Sequence, residues 1–365
     1  MPRQPPAFDT TKFINVSQVG GIDAYTIDEG PARNVRALLV NTGGGLRYRI
    51  LVDRGLDIDQ AFLGPHSLTF LSHKGVTPPS RALDRGLDWL KGFAVGLLTS
   101  CGPFNIGGPG ADEDGEFGLH GPHSNTAATV ESITQPDPHG NQREMSVTAR
   151  IRYGAFYGPC VELKRKISSV LGENTVYFVD EFFNAGNQDV PHAWLLHINF
   201  GYPLLDSGAE FCYSEERVQP LPGHEAAAAL FVEGGSYKRI PDSLPEHSGP
   251  TSLVGYIYPK ADKDGMTSVA VANPRIPLAV SIGYNVKDFP RCANWQHWGK
   301  YEYVAALEPS TGSVEGRDKD RPRGLLGTLK SGEKKIYRYM IDAITDRDGV
   351  NALLALNHPK QKKGV

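Results

Sequence analysis

The stretch Ala37-Leu38-Leu39-Val40-Asn41-Thr42-Gly43-Gly44-Gly45-Leu46-Arg47-Tyr48-Arg49-Ile50-Leu51-Val52 decides the class of the fold. Two apolar runs flank three glycines, the residue type that turns a chain back on itself at the lowest steric cost. In the second run Leu46, Tyr48 and Ile50 alternate with Arg47 and Arg49, so one face is buried and the other wet. That is an antiparallel hairpin. The pattern recurs along the chain. Residues 146–153 alternate in the same way, residues 161–170 follow the turn Tyr157-Gly158-Pro159, and Gly172-Glu173-Asn174 folds 168–170 onto 174–179. Further strands are expected at 193–199, 254–258, 267–271, 278–284, 301–307 and 334–341.

The 41 glycines and 27 prolines are dispersed instead of being gathered in a linker, which marks an all-β sandwich or barrel. Helical patterns are few. Residues 81–91 carry Leu83, Leu87 and Leu90 at helical spacing behind Ser80 as N-cap. Residues 346–356 place Val350, Leu353 and Leu354 on one face. The polar, turn-rich segment 223–250 is expected to decorate one edge. Residues 1–12 and 359–365 read as frayed termini of one domain spanning 1–365.

Composition narrows the function. Hydrophobic residues make up 40% and charged residues 22%, enough to bury a large core without cross-links. A net charge of -3 argues against partners recognised through bulk positive charge, nucleic acid and anionic membrane alike. No apolar run approaches a membrane span and residues 1–10 hold no apolar signal core. The four cysteines, Cys101, Cys160, Cys212 and Cys292, are scattered without a CxxC, as in a reducing compartment. The expectation is a cytoplasmic protein, monomer or homodimer, with a small-molecule partner.

Three segments carry chemistry. In Gly118-Leu119-His120-Gly121-Pro122-His123-Ser124-Asn125, glycine and proline exclude a regular helix or central strand, leaving two histidines on a turn beside a Gly/Pro-rich acidic loop. In Trp194-Leu195-Leu196-His197-Ile198-Asn199-Phe200, a strand puts Trp194, Leu196, Ile198 and Phe200 on one face and Leu195, His197 and Asn199 on the other. A face mixing leucine with His and Asn fits a strand lining a polar cleft. In Val304-Ala305-Ala306-Leu307-Glu308-Pro309, a strand ends on a carboxylate whose backbone the following proline holds extended, an orientation suited to a general base.

Secondary candidates accompany these. Asn294-Trp295-Gln296-His297-Trp298 mixes aromatic and polar groups, and Trp298 is a candidate binding residue. His120, His123 and His197 together are a weaker metal-ligand set. Gly107-Gly108-Pro109-Gly110 lacks the Lys-Ser/Thr of a phosphate loop.

Taken in order, Leu-His-Gly at 119–121, His-x-Asn-Phe at 197–200 and Leu-Glu-Pro at 307–309 resemble the aldose 1-epimerase, or galactose mutarotase-like, superfamily. The resemblance runs over residues 16–343. It is nearest to an uncharacterised branch marked by Val52-Asp53-Arg54-Gly55-Leu56-Asp57-Ile58, by Leu97-Leu98-Thr99-Ser100-Cys101-Gly102 and by the 196–205 run. It implies a large antiparallel β-supersandwich with few short helices, no cofactor, no metal and a carbohydrate ligand. It further implies Glu308 as base at the anomeric hydroxyl, His197 as acid at the ring oxygen, and His120 and Asn199 as binders of the sugar. An ionised Glu308 is expected to raise the His197 pKa and keep it a competent acid.

The chain departs from that superfamily in lacking an Asn-Arg-Ile-type segment ahead of His120, which leaves Arg54 and Arg81 as candidates for its binding arginine. Asp242, Asp262 and Asp264 lie where a further carboxylate is expected, none in a clear motif. Two alternatives stay open: a lyase or epimerase acting on a keto-sugar or sugar acid, and a carbohydrate-binding protein without turnover.

Overall fold

The period-2 runs pair as two large antiparallel sheets in the computed structural model, which describes residues 8–223 and 225–357. The expected frayed ends at 1–7 and 359–365 lie outside the described residues. Residues 8–12 form a turn, with Lys12 N donating to Asp9 O.

Eleven strands make the first sheet. Its outer half runs Gly21–Thr26, Arg36–Asn41, Leu46–Leu51, Asp57–Leu63 and Leu98–Cys101. It continues through Leu195–Phe200, Glu302–Ser310, Arg291–Gly299, Leu253–Pro259 and Glu215–Pro220, with His66–Ser67 beside Asp57–Leu63. Eight strands make the second sheet, from Thr129–Thr134 through Glu144–Gly154, Cys160–Val170, Thr175–Asn184, Lys334–Ile344, Leu278–Asn285 and Met266–Asn273 to Glu210–Cys212. The opening hairpin is present with the register Asn41↔Arg47 to Ala37↔Leu51, and Leu46, Tyr48 and Ile50 face the core as their alternation predicts.

The core lies between the sheets, filled by side chains of both, among them Leu196, Ile198, Phe200, Phe178 and Phe182. One buried polar network crosses it. Arg165 of the second sheet grips Asp180 through Nε at 2.7 Å and Nη2 at 2.8 Å, then reaches the first sheet at Ser100 Oγ (3.0 Å) and Gly55 O (3.2 Å). Tyr339 Oη and Trp194 Nε1 donate to the same Asp180 carboxylate. A fully buried guanidinium is tolerated because its donors meet acceptors on both sheets.

The described residues contain three short α-helices, Glu225–Leu230, Arg317–Asp320 and Arg347–Leu354. The last is the helix expected at 346–356, capped by Asp346 and burying Val350. The helix expected at 81–91 is absent. Two 3-10 turns, Arg81–Leu83 and Asp88–Lys91, stand there, separated by Gly86 in the left-handed region at φ +47°. The Ser80 side chain makes no capping bond, and Leu87 and Leu90 point to solvent while Trp89 is buried. The leucine spacing therefore marks no buried face. Segment 223–250 does more than decorate an edge. Its buried Ala227, Phe231, Tyr237 and Ile240 plug into the main core, with Phe231 packed over Gly255.

Candidate active site

The site grows from strand Leu195–Phe200, whose six residues are all buried. Leu196, Ile198 and Phe200 enter the inter-sheet core, and Leu195, His197 and Asn199 take the opposite face. On one side Thr99 is the register partner of His197. On the other, pairing with Glu302–Ser310 lapses between Leu195↔Ser310 and Ile198↔Leu307. The lapse coincides with Pro309, which has no N–H for a ladder bond. His197 and Glu308 face each other within this gap, Nε2 to Oε1 3.5 Å. The strand continues to Ser310, so Glu308 lies inside it and not at its end as expected.

Around this pair stands a wall of rings. The His120 imidazole lies 5.6 Å from that of His197, edge to face. Phe93 approaches His197 at 5.2 Å and Trp295 at 5.7 Å, both edge-on, and Trp89 packs on His120 at 4.7 Å. Asn199 donates Nδ2 to His197 O at 2.9 Å. Asn199 Oδ1 and His197 Nδ1 are buried without a hydrogen-bond partner. Two such atoms beside a carboxyl are polar capacity that protein groups leave unused.

His120 sits in the left-handed region at φ +57°, unusual for a residue with a side chain, followed by Gly121 at φ +70°. The backbone holds it there: His120 N donates to Gly107 O, Gly102 N donates to His120 O, both 2.9 Å, and Gly107 N donates to His120 Nδ1 at 3.2 Å. An accepting Nδ1 leaves the proton of the neutral ring on Nε2.

Burial sets the electrostatics. It pushes the Glu308 carboxyl up to about 8. It pushes His197 down to about 4, an effect that Asn199 partly opposes. His120 is held well below its ordinary value by burial, then by His197. The expected ionised Glu308 with a strengthened His197 cation is therefore not the resting state. At 3.5 Å their attraction does not offset the loss of water around both groups. Burial therefore favours the neutral carboxyl and the neutral imidazole.

Other expected residues go elsewhere. Arg54 is buried and donates to Gly92 O at 2.9 Å, with Thr77 O and Pro78 O at 3.4 and 3.5 Å, so it ties down the segment covering the site. Its neighbour Asp53 is taken by Arg36. Arg81 is largely exposed and pairs with Asp84 at 2.5 Å, on the rim of a separate 410 Å³ cavity that neither His197 nor Glu308 lines. Trp298 faces the inter-sheet core, its Nε1 donating to Gln296 at 3.2 Å and its ring against Tyr303, so it cannot stack on a ligand at His197. Trp295, of opposite parity on the same strand, is the tryptophan at the site. His123 turns from His120 into the core and meets Tyr153, which removes it from a metal set with His197.

Within the aromatic segment 294–298 it is thus Trp295, and not the expected Trp298, that meets the site, while Phe93 and Trp89 carry no motif that marks them. Parity with Glu308, whose register partner is Ala293, identifies Trp295, but only once strand register is known.

No helix among the described residues is long and apolar enough to cross a membrane. No curated protein matches the chain. Solved structures do. A Klebsiella pneumoniae protein provisionally named as an aldose 1-epimerase aligns at TM-score 0.81 and 20% identity, covering 96% of this chain and 92% of its own. A galactose mutarotase-like protein of Clostridium acetobutylicum aligns at 0.62 and 13%, over 90% and 100%. Galactose 1-epimerase from Lactobacillus acidophilus aligns at 0.55 and 10%, over 88% and 98%. At these identities the likeness is one of fold, and the fold is galactose mutarotase-like. The profile described as Domain of unknown function (DUF4432) matches residues 32–343, and the chain belongs to that family.

Proposed function

We propose that the protein is a sugar-active isomerase of aldose 1-epimerase type, interconverting the anomers of a free sugar by acid–base catalysis between Glu308 and His197. The observation that carries this reading is the facing pair at 3.5 Å, buried together in a gap of the strand ladder. Opening a pyranose needs one proton taken from the anomeric hydroxyl and one given to the ring oxygen. Both oxygens sit on the same carbon, so one acid and one base side by side suffice. Glu308 takes the first proton and His197 gives the second, after which the carbonyl end rotates and the ring closes with the protons returned.

These roles need the single proton of the pair on His197. A bound sugar supplies the polarity that burial removed. Its anomeric hydroxyl donates to Glu308 and its ring oxygen accepts from His197, favouring the charged arrangement over the resting one. The His197 Nδ1 and Asn199 Oδ1 atoms left without partners, and the Nε2–H of His120, offer further hydrogen bonds to hydroxyls. Trp295 and Phe93 present rings to the apolar faces of a sugar.

Saturation-transfer NMR across a panel of free aldoses tests the proposal. The expected result is accelerated α/β exchange with at least one aldose. No acceleration with any of them overturns it. Solvent deuterium appearing on a sugar carbon instead assigns the pair to a lyase or epimerase that removes a C–H proton.

A further inference from the structure

His123 is buried completely and the proposed chemistry does not use it, yet its surroundings are built with care. Its Nδ1 meets Tyr153 Oη, its ring stands edge-on to Trp194 at 4.8 Å, and its Nε2 faces Asp57 Oδ1 at 3.6 Å. A Cβ on Gly55 would fall 2.5 Å from His123 Nε2, so the 53–57 turn packs directly on the imidazole. Gly55 N donates to Thr126 O at 2.9 Å, interlocking the same two turns through backbone.

His123 and Asp57, which pack together at 3.6 Å without a hydrogen bond between them, each lead to one imidazole of the site. His123 is three residues from His120 on one turn, with its own N–H donating to Gly102 O at 3.2 Å, beside the Gly102 N–H that holds His120 O. Asp57 Oδ1 accepts from Ser100 N at 2.9 Å. Ser100 follows Thr99, the register partner of His197. The left-handed backbone at His120 persists only if its surroundings overdetermine it, and the His123 side chain ties this turn across the core to the second sheet at Tyr153.

We propose that His123 is a positioning residue: its hydrogen bond to Tyr153 and its packing against Gly55 hold the turn that sets the His120 imidazole beside that of His197. The proposal rests on the reading of His197 and Glu308 as the reacting pair.

The test replaces Tyr153→Phe, deleting one hydroxyl from the anchor, and in parallel His123→Phe, which keeps a ring against Trp194 but removes the bond to Tyr153, in case either variant fails to fold. In the full chain labelled with ¹⁵N-histidine, imidazole spectra report His120 and His197 without any turnover. The proposal expects the His120 resonances to shift or broaden in a variant that keeps its native circular dichroism. With an aldose exchanged by the wild type, KM rises about fivefold, as for one lost hydrogen bond, while kcat changes less than about twofold. A folded variant with lowered thermal midpoint but unchanged His120 resonances gives His123 a merely structural role and overturns the proposal. Failure of the underlying site shows separately, as wild-type turnover in Glu308→Gln.

Discussion

Glu308, the proposed base, is a buried carboxyl that weakens the fold wherever it ionises. Its folded-state pKa of about 8 lies above the ordinary 4.5, so the folded chain binds the proton more tightly than the unfolded chain. The stability contribution is complete below 4.5 and is lost as pH rises through 8. The full shift corresponds to at most about 5 kcal/mol. Glu308→Gln, which keeps shape without ionising, is therefore expected to be more stable than wild type above pH 8, with the difference vanishing below 4.5. Urea unfolding at both pH values measures it. His197 has the opposite sign: its pKa is lowered from 6.5 to about 4, so its contribution is present above 6.5 and lost as pH falls through 4. Because the pair works with one proton, turnover should rise through about 4 and fall through about 8, wherever that proton rests. A pH–rate profile flat across that interval's upper edge contradicts this. At this scale His197, Glu308 and His120 were legible because each sits in a short motif, whereas the directions taken by Arg54 and Arg81 depend on loop carbonyls and a neighbouring acid that no spacing reveals.

The strand Arg291–Gly299 separates two jobs by parity. Trp295 faces His197, and Trp298 faces the core. Trp298→Ala should cost about 3–5 kcal/mol of stability through the cavity it leaves. Trp295→Ala should leave stability far less affected while weakening sugar binding, with calorimetric unfolding and KM as the two readouts. Equal effects of the two changes on KM contradict the assignment. Strand identities were readable here from alternation, but which tryptophan meets Glu308 depends on the register Ala293↔Glu308, a property of two strands and not of one. Segment 81–91 failed for a related reason. Its leucines have helical spacing, but Gly86 breaks the turn and the buried anchor is Trp89, held by Ser124 at 3.0 Å.

Across the whole molecule, the alternating runs and dispersed turn residues were enough for an all-β sandwich, because each hairpin is a local event. The order of strands was not readable locally. Residues 98–101, 195–200 and 302–310 become neighbours through sheet order alone, and that order creates the site. Holding the two sheets together falls partly to the Arg165–Asp180 pair and its contacts at Ser100 and Gly55. Asp180→Ala leaves the buried Arg165 guanidinium with Asp57, at 3.6 Å, as its remaining carboxylate and should cost about 3–5 kcal/mol, measured by denaturant unfolding. A loss under 1 kcal/mol, a value typical of exposed pairs, would contradict a cross-sheet role.

In the proposed mechanism one carboxyl and one imidazole, facing each other across a broken ladder, carry anomer exchange. Its most direct test is the exchange rate at pH 7, measured by saturation-transfer NMR for wild type, Glu308→Gln and His197→Asn with the same aldose. A loss of about 10²-fold or more is expected in each variant, with circular dichroism unchanged. Near-normal exchange in both folded variants would contradict it.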